Sequence, residues 1–412
     1  MTSHDSSTET GTSTREPDFG RPFRLTAGDL IGDLLWPKLL RVPSLALRPD
    51  RIGLAILIVL LIGLIDQTLA AIANTEESPA TPVVEMLSTR FAQGQAQAFE
   101  SVAQLAVGDA LIIGWNGTWR AITSTFSDAP WRASFVLPVA FLIYITFAVG
   151  ISRMAVDDFA RGKSTKWTEA LAWSLQGFVS TLVAHLIPIL VLLLIVGVLS
   201  VGGLVLLGVP YLNMVGSLFT ILGVLLAFVG VLVLIGFGLG APMLSPAIAS
   251  EGFDGFDAMQ RVGSYIFSKP GRFAIYAFIL FVQFAVVASI AAAIAGATSG
   301  LAAWSMGLIM DWTNNPDGVA VAAGAASEGR GFAGDWAARV VEFMLKLPAL
   351  AAGGFLLCYW ISGWSVQYLL LRQATDGQDV TDIFVPGEME ARIDRALASR
   401  VAGIDANQSD ED

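Results

Sequence analysis

The sequence predicts an all-α membrane protein with about six transmembrane helices, and three observations lead to that fold class. Hydrophobic residues make up 54% of the 412 residues and charged residues only 14%, against about 25% charged residues in a typical soluble domain. The mean hydropathy is +0.65. Apolar stretches long enough to cross the hydrocarbon core of a bilayer recur along the chain.

The composition also excludes several classes of function. A net charge of -11 argues against a nucleic-acid-binding protein, and the single cysteine, Cys358, excludes a disulfide scaffold or a thiolate metal site. The two histidines, His4 and His185, offer little for metal ligation or imidazole catalysis. No GxSxG, HExxH or phosphate-loop motif occurs in a suitable context. We therefore expect no enzyme, no cofactor, no metal and no nucleic-acid partner.

The N-terminal residues precede the first apolar stretch and divide into two parts. Residues 1–24 are rich in serine and threonine and are predicted to be a disordered tail, without the apolar region of a signal peptide. Residues 25–51 form a predicted interfacial segment, in which a helix over 25–43 carries a leucine stripe and ends at Pro43. A plain connector to the first span is the alternative.

The polytopic membrane domain is predicted over 52–371. No Asp, Glu, Lys or Arg occurs between Glu169 and Glu251, and this stretch must hold two spans with a break near Pro210. Whether 211–218 is interfacial or part of a span stays open. Residues 372–412 form an acidic tail with a predicted short helix after Pro386. The predicted spans are 52–73, 133–152, 178–206, 219–248, 273–298 and 347–371.

The distribution of basic residues predicts the orientation. Eighteen of the 24 Lys and Arg residues lie before span one, between spans two and three, between spans four and five, or after span six. Because basic loops are retained on the cytoplasmic side, both termini are predicted to be cytoplasmic and the number of spans even.

The outward loops contain amphipathic segments. Residues 83–106 place apolar side chains along one helical face, and six of the eleven tryptophans lie in outward loops. Helices lying on the outer leaflet are the favoured interpretation. An outer cap over a cavity, or a surface for a partner protein, is the alternative. The apolar residues of the face are Val84, Leu87, Phe91, Phe99, Val102 and Ala106.

The two longer inward loops look like copies of one unit. Each predicts a short amphipathic helix between two spans, over 164–178 and 254–267, and acid-Ala-apolar recurs as Glu169-Ala170-Leu171 and Asp257-Ala258-Met259. The stretch from Pro242 to Tyr265 is similar to uncharacterised bacterial polytopic membrane proteins. It more distantly resembles the membrane domain ahead of some glycerophosphodiester phosphodiesterases.

The absence of a secretory peptide and the inward basic bias predict the cytoplasmic (inner) membrane as the location of a multi-pass protein, and the resemblance implies that the membrane is bacterial. The resemblance supplies no functional residues to transfer. The soluble phosphodiesterase domain, with its paired acids and histidines, has no counterpart in this sequence, so a hydrolase activity is not implied.

Two polar residues within the spans are candidate sites. Asp66 in span one is a candidate to carry a proton or bind a cation, because an intramembrane carboxylate is costly; an early outer boundary of the span is the alternative. His185 in span three is a candidate proton relay, but a hydrogen bond that anchors it to a neighbouring span is the favoured interpretation. Small residues at helix-packing spacing occur as Gly236 and Gly240 in span four and as Ala288 and Ala292 in span five.

Together these features predict a non-enzymatic envelope scaffold or assembly protein. Its expected partners are the lipid bilayer and other membrane proteins. A transporter or channel for a lipid or small solute is the alternative, favoured by the repeat and by Asp66. A membrane-embedded enzyme is the weakest hypothesis, because no nucleophile, base and orienting group can be assembled.

Overall fold

A computed structural model describes residues 35–74, 80–252, 254–325 and 331–385. These residues form helices and connecting turns, with no strand among them. Residues 37–385 fall within one compact unit; of the preceding unit, 1–36, only two residues are described. The α-helices are α1 (Val42–Ala46), α2 (Pro49–Ala73), α3 (Val83–Ala103), α4 (Val107–Asp128), α5 (Pro130–Arg161), α6 (Trp167–Gln176), α7 (Phe178–Gly208), α8 (Leu212–Gly216), α9 (Thr220–Glu251), α10 (Gly255–Ser268), α11 (Pro270–Trp312), α12 (Pro316–Ala322) and α13 (Gly331–Asp376).

Six of these helical stretches are long and apolar enough to cross a membrane, which confirms the predicted fold class. The crossing helices are α2, α5, α7, α9, α11 and α13, and they contain the six predicted spans, except that the fourth predicted span begins one residue before α9. Residues 212–216 and 217–219 continue as short helical turns directly into α9. The segment 211–218 therefore belongs mainly to the helical run of the fourth span, after a break at Tyr211, whose φ is 67°.

The crossing helices extend well beyond the predicted spans. The 43 residues of α11 and the 46 residues of α13 correspond to about 64 and 69 Å, while the hydrocarbon core of a bilayer is about 30 Å thick. Hydropathy identifies the part of a helix that lipid surrounds, but the backbone stays helical through the more polar residues that follow. Residues 299–312 and 331–346, predicted as parts of an outward loop, are consequently helical.

The segment before the first span differs from its prediction at Pro43. A 3-10 helix (Trp36–Arg41) leads into α1, and Pro43 lies in the first turn of α1 rather than ending a helix. Proline is tolerated there because the first N–H groups of a helix have no intrahelical partner. Leu39, Val42 and Ala46 are fully buried, so this segment packs against protein. Residues 1–34, including the predicted tail, and the predicted helix after Pro386 lie outside the described residues.

The two predicted short inward helices are present as α6 and α10, each between two crossing helices. The preceding helices, α5 and α9, both have 32 residues and both end at a left-handed glycine, Gly162 and Gly252. Each also carries a glycine at the same distance from that end, Gly150 or Gly240, against which the following short helix packs. This agreement supports the sequence repeat α5–α6–α7 and α9–α10–α11.

The core of the bundle lies at one end, where α2, α7 and α11 begin and α5, α9 and α13 end. We call it the basic end, since the basic loops meet there. Almost every residue over 145–159, 243–250 and 358–372 is buried. Farther along α7, α9 and α11, large apolar side chains are exposed on all sides, as expected for helices solvated by lipid. Examples are Leu194, Leu204, Phe228, Phe278 and Ile294.

Candidate functional site

Asp66 lies near the end of α2, and its carboxylate is buried against the start of α3. One carboxylate oxygen accepts the Val83 amide at 2.8 Å, and the other accepts the Val84 amide at 2.7 Å. The first N–H groups of a helix lack intrahelical partners, and a negative charge there is stabilised by the helix dipole. Asp66 therefore caps α3 from a neighbouring span.

The helices α3 and α4 form an antiparallel hairpin, and further contacts join this hairpin to the spans. Arg132, in the first turn of α5, donates to the Thr81 carbonyl at 2.8 Å just before α3 begins. Arg90 of α3 pairs with Asp128 at the end of α4. Val83 packs against Ala129, Ala133 and Val136 in a small apolar core. With Asp66, these contacts fix the base of the hairpin to both α2 and α5.

The two helices of the hairpin cross at a pair of glycines. A Cβ atom built on Gly94 would lie 2.8 Å from the Cα of Gly117, and the reverse distance is the same. Only two glycines allow so close an approach. Away from this crossing, Val84 and Leu87 of the predicted apolar face of α3 are half-buried. The rest of that face within α3 is exposed, and so are two tryptophans of α4. These exposed side chains include Phe91, Phe99, Val102, Trp115 and Trp119.

His185 is buried where α5, α7 and α9 meet. Its Nδ1 lies 2.8 Å from the Thr181 carbonyl one turn earlier in α7. The rings of Phe141 and Phe237 stand edge-on to the imidazole, with centroid distances of 5.4 and 6.2 Å. These contacts give His185 a packing role between three spans, and Asp66 lies elsewhere, at the opposite end of the bundle.

The glycine spacing in α9 accommodates α10. A Cβ on Gly240 would lie 3.0 Å from Cγ1 of Val262, and one on Gly236 would lie 3.6 Å from the Phe267 ring. This face of α9 is therefore covered within the chain. In α11, Ala288 is half-buried and Ala292 is exposed, so this pair is not enclosed by another described helix.

At the basic end, a first buried ionic group joins α2 to α5. Arg51 is 1% exposed and donates to Asp158 at 2.7 Å, to the Met154 carbonyl at 2.7 Å and to the Leu45 carbonyl at 2.6 Å. The second oxygen of Asp158 accepts from Arg48 at 2.6 Å. Each buried charge thus has a charged partner, which offsets the cost of removing it from water.

A second group holds residues 377–385, which follow α13 and which we call the C-terminal segment. Arg153 donates to Asp157 at 3.0 Å, to the Ala249 carbonyl at 3.0 Å and to the Phe384 carbonyl at 2.7 Å. The Phe384 amide in turn donates to the Ser250 carbonyl at 2.8 Å. Among the described residues, three arginines donate to backbone carbonyls of this segment, namely Arg153, Arg161 and Arg372. The C-terminal segment is therefore bound across the ends of α5 and α9.

Glu251, the last residue of α9, is the centre of a third group. It accepts hydrogen bonds from Tyr368 and, at 3.0 Å, from Arg261, and Arg372 lies 3.5 Å away. Tyr265 of α10 donates to Asp376 at 2.5 Å. Burial raises the pKa of Tyr265 well above its usual value, and the hydrogen bond to Asp376 raises it further, so this phenol stays neutral and acts as a donor.

These three groups are not predicted from the sequence, because hydropathy shows only where a span ends and not which charged residues near its end pair with one another. One local signal was available, since Arg153 and Asp157 are four residues apart on a helix. The pairing of Arg51 with Asp158 joins residues 107 positions apart and depends on how α2 and α5 pack.

The arrangement at the basic end couples helices through hydrogen bonds and ion pairs. Glu251, Asp157 and Asp158 all accept hydrogen bonds from neighbouring side chains. Within the described ranges no three His, Cys, Asp or Glu residues cluster in a way that could hold a metal.

Two concave surfaces elsewhere have distinct chemistry. An apolar groove of about 330 Å³ lies between α7, α9 and α10, beside Gly236, Gly240 and Gly263. A cavity of about 400 Å³ with mostly polar side chains lies in the hairpin, above the crossing of α3 and α4.

Comparison with known proteins gives no relative for this chain. No family model, no curated protein and no solved structure matches it.

Proposed function

We propose that the protein is a non-enzymatic scaffold or assembly protein of the bacterial cell envelope, embedded in the cytoplasmic membrane. The observation that carries this proposal is the attachment of the α3–α4 hairpin to two spans through Asp66 and Arg132. A hairpin fixed in this way presents the same surface at all times, and its exposed aromatic side chains suit contact with other membrane components.

The polar groups inside the spans support the same function. Asp66 caps a helix, His185 bonds to its own helix, and Gln283 accepts from Tyr359 at 2.8 Å. These contacts stabilise the arrangement of the helices. Because these polar groups are engaged in packing, they favour a structural role. Ion or proton coupling would require the same groups to exchange their hydrogen-bond partners.

Photo-crosslinking in cells tests the scaffold function. A photoreactive phenylalanine analogue at Phe99, exposed on the hairpin, is expected to give discrete adducts with other envelope proteins. The matched control is the same analogue at Phe278, which is 68% exposed on the apolar surface of α11 and is expected to give none. Asp66→Ala should remove the adducts at position 99. Equal adducts at both positions, or none at position 99, would contradict the proposal.

The second candidate function, a lipid transporter, is favoured by the apolar groove between α7, α9 and α10. Its test is the exchange of a fluorescent phospholipid between leaflets of proteoliposomes. Gly263→Leu would fill the groove, because nothing lies within 4 Å of a Cβ at that position. Gly296→Leu, equally open but in α11, is the control. If Gly263→Leu slows the lipid exchange and Gly296→Leu does not, the result favours the transporter. If the unmodified protein exchanges lipid no faster than protein-free vesicles do, the result favours the scaffold.

A further inference from the structure

The cavity in the hairpin combines positive charge with unpaired amide groups. Its polar lining includes the guanidinium groups of Arg90 and Arg120 and the carboxamides of Gln93, Gln97 and Asn116. No acidic side chain is among its described lining residues. Gly94 and Gly117, whose backbones cross in close contact, are also among its lining residues.

The side chains that line the cavity differ in how many hydrogen bonds they already make to other residues. Arg90 pairs with Asp128 and donates to Ser124 at 3.1 Å. On the other side of the crossing, Gln95 donates to Thr118 at 3.2 Å. By contrast, Gln93, Gln97, Asn116 and Arg120 make no side-chain hydrogen bond to any residue that the structure describes. Four donor groups that make no such bond thus line the same cavity, whereas Gln95, on the other side of the crossing, is already bonded to Thr118.

From this arrangement we propose that the hairpin cavity binds a phosphate group carried by a small organic phosphate or by a phospholipid headgroup. The guanidinium of Arg120 supplies charge-assisted hydrogen bonds, which phosphate accepts strongly, and that of Arg90, already paired with Asp128, adds positive charge nearby. Carboxamide N–H groups supply further donors, so that several of the phosphate oxygens are bonded at once. A carboxylate, with two oxygens, would leave more of these donors without partners.

Both sources of the phosphate can reach the site. The cavity is open to its surroundings on the polar face of the hairpin, where a soluble ligand has access. Arg90 also lines a second cavity of about 550 Å³ at the base of the hairpin, together with Trp131 and Arg132 of α5. That second cavity adjoins the first turn of a crossing helix, where phospholipid headgroups lie. This proposal does not depend on the scaffold function.

Calorimetric titration of the full chain in an uncharged, phosphate-free detergent tests the proposal. The probes are glycerol 3-phosphate and dihexanoyl phosphatidylglycerol, and at least one should bind saturably. Arg120→Gln is expected to weaken binding about tenfold, since it removes a charge-assisted hydrogen bond. Asn116→Ala should also weaken it. Both residues are exposed, so the fold should tolerate these changes.

The matched control is Arg339→Gln, which removes the same charge from an exposed position on α13 outside the cavity and should leave the affinity unchanged. Binding of glycerol 3-phosphate would identify a soluble ligand, and binding of the phospholipid alone would identify a headgroup site. The proposal is overturned if neither probe binds at millimolar concentration. It is also overturned if Arg120→Gln binds as tightly as the unmodified chain, or if Arg339→Gln weakens binding equally.

Discussion

At the scale of single residues, two charged groups of the crossing helices have specific protein partners. The carboxylate of Asp66 caps α3, and the guanidinium of Arg51 bonds to Asp158 and to two backbone carbonyls. The sequence identified Asp66 as unusual because a charge in a span is rare. It could not identify the partner, because the partner amides belong to the next helix and are paired only after α2 and α3 fold together.

Replacement of Asp66 tests its capping role. Asp66→Ala leaves the Val83 and Val84 amides without acceptors and should lower the free energy of unfolding by about 2 kcal/mol. Hydrogen exchange at these two amides should become faster. Glu100→Ala, an exposed change near the end of the same helix, is the control and should leave stability nearly unchanged. Unaltered exchange at Val83 and Val84 in Asp66→Ala would show that Asp66 does not cap α3.

The C-terminal segment should respond to acid through Asp379. The Thr381 amide, at 2.8 Å, and then the Thr381 hydroxyl, at 2.9 Å, donate to its carboxylate and lower its pKa. Because the folded pKa lies below the unfolded value of about 3.9, this contribution is present above that value and is lost as the pH falls through the lowered pKa.

Hydrogen exchange of the Thr381 amide, corrected for the intrinsic effect of pH, measures this contribution. Protection should fall on acidification in the unmodified chain, and Asp379→Asn should already show reduced protection at neutral pH. Asp382→Asn, which alters an exposed carboxylate three residues later, should keep the acid response. Protection that is independent of pH would rule out Asp379 as the titrating group.

At the scale of helices, hydropathy located all six crossing helices but not their full lengths. The end of α11 and the start of α13 lie beyond the apolar stretches, so hydropathy does not show where these helices stop and begin. The amphipathic pattern over 83–106 predicted α3, while α4 was not predicted separately because its tryptophans suggested only an interface. The polar cavity arises from the crossing of α3 and α4, so the periodicity of either helix alone does not predict it.

The crossing of the hairpin makes a prediction about two glycines. Gly94→Ala places a methyl group 2.8 Å from the Gly117 backbone, so α3 and α4 must separate, at a cost of about 1–3 kcal/mol. Gly108→Ala is the control, because nothing lies within 4 Å of a Cβ at that position of α4. Thermal unfolding should show a lower midpoint for Gly94→Ala only. Equal midpoints for the two variants would mean that the helices do not pack as closely as described.

At the scale of the whole molecule, the packed and charged part of the bundle lies at the basic end. Three groups of ion pairs and the C-terminal segment join the ends of α2, α5, α9 and α13 there. The remaining lengths of α7, α9 and α11 present exposed apolar side chains. Since loops rich in lysine and arginine are retained in the cytoplasm, this asymmetry favours a cytoplasmic basic end and an outward hairpin.

Labelling of cysteines that replace two serines determines this orientation. In a Cys358→Ser background, Ser88→Cys places a thiol on the exposed surface of α3, and Ser164→Cys places one in the exposed turn between α5 and α6. A membrane-impermeant maleimide added to intact cells should label position 88 and not position 164, and both should react after permeabilisation. The two positions lie at opposite ends of the bundle, so each is the control for the other. Labelling of position 164 in intact cells would show the opposite orientation, with the hairpin and its proposed phosphate-binding cavity in the cytoplasm.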